Sequence, residues 1–228
     1  MQNVKITILE EMLDFVAPHI CCGCGEIGRL LCTSCEYNIT SAQHFVCLVC
    51  LAPAKSGICS KHGKDLDFGW LVGSRSGVLR NLIDGYKFNN IRQSYKTLAD
   101  LLYKSMPPLP KDIVIVPVPT VQKHIRERGY DHMDLIVRRL AYMSGLKVDR
   151  VIERRSDFVQ HHAISRAQRQ AQAEDAFFVS GKIEAGVSYL IVDDVVTTGA
   201  TIKNIARLLR AMGSAQVGAA VIAYQPLD

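Results

Sequence analysis

The stretch from Tyr189 to Thr201, Tyr-Leu-Ile-Val-Asp-Asp-Val-Val-Thr-Thr-Gly-Ala-Thr, constrains the fold more tightly than any other part of the chain. Its apolar, β-branched start has the length and composition of a strand buried on both faces. The pattern predicts a strand over 187–194, with Asp193 and Asp194 at its C-terminal end, where ligands bind in open α/β sheets. Val195, Val196, Thr197, Thr198, Gly199, Ala200 and Thr201 then lead into a helix predicted over 201–212, with Ile202, Ile205, Leu209 and Met212 on one face and Gly213 as its stop. A helix N-terminus with free N–H groups and three hydroxyls beside it suits a phosphate dianion. Two carboxylates are poor neighbours for that anion unless they face a sugar diol or a cation, and a sugar phosphate with Mg²⁺ offers both. The plainer alternative is simple helix capping, which needs one such side chain and not five.

Cysteine spacing carries the second constraint. Cys21 and Cys24, Cys32 and Cys35, and Cys47 and Cys50 are Cys-x-x-Cys pairs, and Cys59 with His62 is a Cys-x-x-His. A two-residue gap lets both ligands of a pair turn toward one ion, and Zn²⁺ takes four thiolate or imidazole ligands in closed structural sites. The spacing therefore predicts two structural Zn²⁺ sites, one from Cys21, Cys24, Cys32 and Cys35 and one from Cys47, Cys50, Cys59 and His62, with a single ion as the alternative. Cys22 is left over, and it is also the alternative to Cys21 as a ligand. Such a module stabilises a segment too short to bury a core of its own, so the metal implies no catalysis.

The chain has 228 residues, of which 48% are hydrophobic, enough for one large or two small domains with a real core. No apolar run approaches the roughly 20 residues that span a bilayer, and Met1 to Phe15 lacks a secretory pattern. A cytoplasmic protein without membrane insertion is expected, and eight cysteines in that reducing compartment point to metal and not to disulfides. Charge is uneven: residues 1–70 carry five bases and seven acids, while 123–169 carry eleven bases and six acids. A small phosphorylated ligand needs only a few of these cations, so single-stranded DNA is a second candidate partner. No dinucleotide-binding or Walker glycine turn is present, which excludes nicotinamide and ATP-motor readings.

Beyond residue 67 the pattern alternates α and β. Strands are predicted over 68–74, 113–118, 187–194 and 216–224, and helices over 77–84, 91–106, 130–144 and 201–212. This predicts an α/β fold, a doubly wound parallel sheet over 68–228, preceded by a zinc-ribbon module over 1–67. The polar, basic stretch 154–173 lacks a clear period and reads as a mobile lid, with Arg155, Arg166 and Arg169 as anion contacts and His161 and His162 as further polar groups.

The Tyr189–Thr201 stretch resembles the signature of the type I phosphoribosyltransferases, which bind phosphoribosyl pyrophosphate (PRPP). The resemblance implies that Asp193 and Asp194 engage the ribose hydroxyls and that the turn through Val195, Val196, Thr197, Thr198, Gly199, Ala200 and Thr201 takes the 5′-phosphate. Four further motifs precede it: Gly85-Tyr86-Lys87-Phe88, Val-Pro-Val-Pro over 116–119, Ile125-Arg126-Glu127-Arg128-Gly129-Tyr130, and Ile164-Ser165-Arg166-Ala167-Gln168-Arg169. Together with the cysteine pairs, this series resembles the ComF family, which joins a zinc ribbon to a type I phosphoribosyltransferase domain and is associated with natural competence.

The resemblance implies binding of PRPP or ribose 5-phosphate with Mg²⁺, and transfer of phosphoribose to a nitrogen nucleophile. Lys87, Thr120, Arg126 and Arg128 fall to the pyrophosphate side, and Lys87, Arg126 and Arg128 join Asp193 and Asp194 as candidate catalytic residues. It also implies, as partners, a DNA-uptake helicase to supply any motor and a recombination-mediator protein. Two departures stand out. The family commonly has Arg-Gly-Phe-Asn-Gln where this chain has Arg128, Gly129, Tyr130, Asp131 and His132, which sets a negative charge in place of an amide. The Leu-His pair usual after Val-Pro-Val-Pro is here Thr120 and Val121. Three readings follow: an active transferase in competence, a non-catalytic DNA-binding or scaffold protein that keeps a PRPP pocket, and a housekeeping transferase.

Overall fold

The runs of Val, Ile and Ala predicted as strands form a parallel sheet in a computed structural model that describes residues 19–42, 46–54, 57–155 and 176–225. In chain order the elements are helix α1 (Thr33–Thr40), strand β1 (Phe68–Ser74), helices α2 (Gly77–Phe88) and α3 (Ser94–Ser105), strand β2 (Val114–Pro117) and helices α4 (Gln122–Arg128) and α5 (His132–Ser144). Strands β3 (Lys147–Val148), β4 (Ile152–Arg154), β5 (Phe177–Val179) and β6 (Tyr189–Val196), helix α6 (Ala200–Ala211) and strand β7 (Val217–Tyr224) complete the set. The main sheet has the order β1-β7-β6-β2-β3, every pairing in it parallel, while β4 and β5 form a separate antiparallel ribbon.

Continuous apolar runs are what a strand needs when both of its faces are covered. Leu190 and Val192 of β6 join Val72, Ile115, Ala220 and Ile222 under helices α2, α3 and α5. Tyr189 and Ile191, one residue out of phase, join Ala219 and Val221 under the Ile202–Leu209 face of α6. The period of two thus divides the core between the faces of a doubly wound sheet. The cysteines divide likewise: Cys21, Cys32 and Cys35 belong to the first cluster and Cys47 to the second. No helix among the described residues is long and apolar enough to cross a membrane.

Several elements differ from the sequence expectation. β6 runs to Val196 and not to 194, because β7 extends alongside it and pairs Asp193 with Val221, Val195 with Ala223 and Val196 with Tyr224. The acids therefore lie within the strand and not beyond its end. Helix α2 continues past 84 to Phe88 and carries Lys87 on its last turn; Gly85 does not stop it but leaves room for Ile91. The helix predicted over 91–106 begins at Ser94. The segment around 130 holds two helices, since Gly129 adopts φ 77° and ends α4 before Asp131 caps α5. Ile152–Arg154, at the edge of the stretch read as irregular, is a strand paired with Phe177–Val179. Arg166, Arg169, His161 and His162 lie outside the described residues.

One close approach fixes the edge of the sheet. Phe68 pairs with Gly218, and a Cβ on Gly218 would stand 1.7 Å from Phe68 Cε2. Gly218→Ala is expected to cost about 1–3 kcal/mol in urea denaturation, and Phe68→Leu in the same chain to recover part of that loss.

Candidate ligand site and metal centres

Between β6 and β2 the sheet reverses its winding: α5 carries the chain from β2 outward to β3 on one face, and α6 carries it from β6 to β7 on the other. A crevice opens at such a switch point, outside the carboxyl ends of the strands. Asp193 and Asp194 stand near the carboxyl end of β6, and Thr120 follows the carboxyl end of β2.

Asp194 is buried, and its charge is matched by two donors at one oxygen. Lys87 Nζ, from the last turn of α2, lies 2.6 Å from Oδ2, and His132 Nε2, from the first turn of α5, lies 2.5 Å from it. Arg128 Nη1 stands 3.0 Å from His132 Nδ1, and its Nε donates to the Lys87 carbonyl at 2.9 Å. A guanidinium can only donate, so Nδ1 must accept and the imidazole proton sits on Nε2, pointing at Asp194. Arg128, His132, Asp194 and Lys87 thus form one directed chain. Tyr86 hydroxyl donates to the His132 carbonyl and Tyr130 hydroxyl to the Tyr86 carbonyl, both at 2.8 Å, with the two rings stacked 5.6 Å apart.

The two acids titrate apart. Burial works against ionisation of Asp194, but the Lys87 charge and the hydrogen bonds from His132 and Lys87 outweigh it and hold the carboxyl well below the usual range. Asp193 is pushed up, first by burial and then by the Asp194 charge. The departures at 131 and 132 now have a physical reading. Asp131 Oδ1 accepts from the N–H groups of Met133 and Asp134 and from Thr120 Oγ1 at 3.0, 3.2 and 2.8 Å, so the helix N-terminus absorbs its charge. His132, with one donor and one acceptor, supplies what a side-chain amide would. The signal for both residues in the sequence is that Asp131 keeps the acceptor oxygen of an amide at a helix N-cap and that His132 keeps one donor and one acceptor.

The turn that follows β6 exposes Thr197, Thr198 and Ala200 and buries Gly199, which adopts φ 69° at the N-cap of α6. Thr198 Oγ1 accepts from Ala200 N at 3.5 Å, and the α6 ladder begins with Lys203 N to Gly199 O at 3.0 Å, so the amides of Thr201 and Ile202 precede it. Thr120, Arg126 and Arg155 line a neighbouring cleft of about 690 Å³, along with Lys123, Asp131 and Arg154. The structure therefore gathers Lys87, Arg128 and Asp194 into one cluster and places Thr120, Arg126 and Arg155 around the cleft.

Each cysteine quartet is placed to hold one metal ion, its four ligand atoms all within 4.8 Å of one another. Cys24 and Cys32 sulfurs lie 3.5 Å apart and Cys50 and Cys59 sulfurs 3.8 Å apart, and tetrahedral Zn–S bonds set sulfurs roughly 3.8 Å apart. Cys22 turns instead toward the Val78 carbonyl at 3.9 Å and stands outside the quartet. Proximity leaves the thiols unequal. Cys35 is pushed up to about 12 by its hydrogen bond with Cys32 and by burial. In Cys59, desolvation is outweighed by hydrogen bonds from His62 and Lys61 N–H, which draw it down to about 6. Four sulfurs this close cannot all ionise without a cation among them. His62 Nδ1 faces the sulfurs of Cys59 and Cys47 at 3.2 and 3.8 Å, while its Nε2 lies 4.0 Å from Asp65, the orienting carboxylate that metal-binding histidines generally have.

Residues 125–228 match the Phosphoribosyl transferase domain family. Over 213 residues the chain is 27% identical to Competence protein F of Haemophilus influenzae, covering 82% of this chain and 93% of that protein. It is 40% identical over 112 residues to the DNA utilization protein YhgH of Salmonella typhi, a match that spans about half the length of that relative, 48% of each chain. A solved structure of the allosteric regulatory enzyme of purine biosynthesis overlays with a TM-score of 0.41 at 19% identity, covering 56% of this chain and 25% of that one. Residues 125–228 are thus similar to phosphoribosyl transferase domains, and the resemblance to the ComF family drawn from the motifs is borne out by the competence protein and DNA utilization relatives.

Two substitutions probe the charge cluster. His132→Leu removes one of the two donors at Asp194 Oδ2 and strands a guanidinium N–H of Arg128, and is expected to cost about 2–3 kcal/mol in urea denaturation, whereas His132→Gln keeps donor and acceptor and stays within about 1 kcal/mol of the parent. An acid whose folded pKa is raised binds its proton more tightly folded than unfolded, so it costs stability above that pKa and nothing below the unfolded one. Asp193→Asn is therefore expected to stabilise the protein by about 1 kcal/mol at pH 8, the side chain being partly exposed, with the gain gone by about pH 4. Thermal melts across that range read it directly.

Proposed function

We propose that this chain binds PRPP or ribose 5-phosphate as its Mg²⁺ complex at the carboxyl end of β6 and acts as a phosphoribosyltransferase-like protein in natural competence, taking up single-stranded DNA. The observation that carries this reading is the position of the acidic pair and the Thr197–Thr201 turn at the switch point of a parallel sheet. Asp193 and Asp194 accept hydrogen bonds from the ribose 2′ and 3′ hydroxyls, and Lys87 and His132 keep Asp194 ionised for that purpose. The amides and hydroxyls of the turn hold the 5′-phosphate. Thr120, Arg126 and Arg128 stand on the pyrophosphate side, and Arg155 closes on it from the ribbon. Mg²⁺ accompanying the substrate would supply neutralising charge for the pyrophosphate. The protein then positions C1′ for a nitrogen nucleophile and spreads the charge that develops. Zinc is the ion read for both quartets, where it ties short segments into the fold. The names of the relatives, a competence protein and a DNA utilization protein, support work on DNA.

A direct DNA contact has its own support in the exposed cations around the cleft, Lys123, Arg126, Arg154 and Arg155. Arg138 and Arg139, in the same basic run, are engaged by Asp134 and Asp100 at 2.6 and 3.0 Å and are poorer candidates. Steep salt dependence of single-strand binding, reduced by Arg126→Ala with Arg154→Ala, is the mark of that contact.

Calorimetric titration of PRPP with Mg²⁺ into the zinc-loaded protein tests the main reading. Saturable binding is expected, shared by ribose 5-phosphate and lost in the Asp193→Asn, Asp194→Asn double variant. Absence of binding at millimolar ligand would sink it.

A further inference from the structure

The turn after β6 and the second cysteine quartet share a wall. A Cβ on Gly199 would lie 2.2 Å from the Val49 carbonyl oxygen and 2.6 Å from that of Leu48. Both residues sit between the ligands Cys47 and Cys50, so the tip of that knuckle presses its carbonyls against the back of the turn. The knuckle has little freedom to retreat. Cys47 N donates to Ala52 O, Leu51 N to Cys47 O and Leu48 N to Gly57 O, at 2.8, 2.7 and 2.9 Å, and Leu51 is held at φ 58°. Cys47 and Leu48 are fully buried, and the Leu48 side chain abuts Gly69 of β1.

A second tie runs from the same quartet to α6. Asp65, the carboxylate facing His62 Nε2, lies 3.7 Å from Lys203 Nζ, and its carbonyl accepts from Arg210 Nε at 3.3 Å. Asp65 Oδ2 is buried without a hydrogen bond among the described residues, between the His62 ring and the Lys203 ammonium. Among the described residues the first quartet shows no such relation to α6. It packs on the other face of the sheet, where Gly23 meets Cys35 and Val78.

We propose that metal binding by Cys47, Cys50, Cys59 and His62 positions the Thr197–Thr201 turn, so that metal in this quartet and an anion at the turn favour one another, while metal in the first quartet is indifferent to both. The anion half of this coupling rests on the reading of the turn as a phosphate seat. Leu48 and Val49 are positioning residues: they act through Gly199 and touch no substrate. Thermodynamic reciprocity requires that an anion at the turn retain the metal as strongly as the metal retains the anion.

Hydrogen exchange of the full-length zinc-loaded protein tests the positioning without any ligand. Amides of 197–203 are expected to exchange about tenfold faster in Cys50→Ser than in the parent, and at the parent rate in Cys24→Ser. Equal protection of this segment in all three proteins overturns the proposal. Gly199→Ala, which pushes on the knuckle without altering a ligand, keeps the test open should Cys50→Ser fail to fold: one of the two zinc ions is expected to pass faster to a colorimetric chelator, and unchanged release of both overturns the proposal. Ribose 5-phosphate is expected to slow release of that same ion severalfold. Unchanged release despite calorimetric binding defeats the coupling and leaves the pocket standing. Failure of ribose 5-phosphate to bind removes the phosphate seat, and with it the anion half, while the exchange comparison still decides whether the metal positions the turn.

Discussion

A carboxylate buried at the end of an apolar strand must find donors, and Asp194 organises its surroundings by that need. Its two donors come from elements far apart in sequence, Lys87 at the end of α2 and His132 at the start of α5, so the charge draws two helices to one point on the sheet. Arg128 extends the arrangement by binding both the ring of His132 and the Lys87 carbonyl. Desolvation alone would protonate the acid; the neighbouring cation and the imidazole N–H reverse the outcome. Asp193, without such partners, moves the other way. Adjacent residues of one type thereby acquire different protonation behaviour.

The cysteine quartets solve a different problem. Segments 19–42 and 46–66 carry few large apolar side chains, too few for a core of their own, and they are stitched onto a core the sheet already provides. One quartet is attached to each face. Placement on the α6 face sets backbone carbonyls against Gly199, a contact that only a residue without a Cβ allows at φ 69°. The constraint on that glycine is therefore double, conformational and steric. It also gives the module a means to influence the pocket without entering it.

Much of this was legible from residue order. Val and Ile runs announced the buried strands because burial on both faces leaves no other composition workable. The strand 68–74 has the bounds that its pattern predicts. Cys-x-x-Cys spacing announced the quartets, since a two-residue gap fits one tetrahedral edge. Boundaries were less legible where a neighbour set them: β6 outruns its expected end because β7 offers two more residues of pairing, and α2 outruns Asp84 because Gly85 is packed against Ile91. The ribbon of β4 and β5 joins segments more than twenty residues apart, and its three-residue strands leave no periodic trace.

By itself, then, residue order determined which segments are strands, which cysteines pair in sequence, and that two acids precede a hydroxyl-rich turn. These are local matters, decided by side-chain periodicity and by the geometry of short loops. Tertiary structure alone decided that Asp131 is a helix cap, that His132 is joined to Asp194, that Cys22 stays outside its quartet, and that Leu48 and Val49 lie behind the turn. Each of these depends on which distant group supplies a hydrogen bond or occupies a gap. Such partners are chosen by the packing of whole helices on a sheet, and no window of sequence contains them.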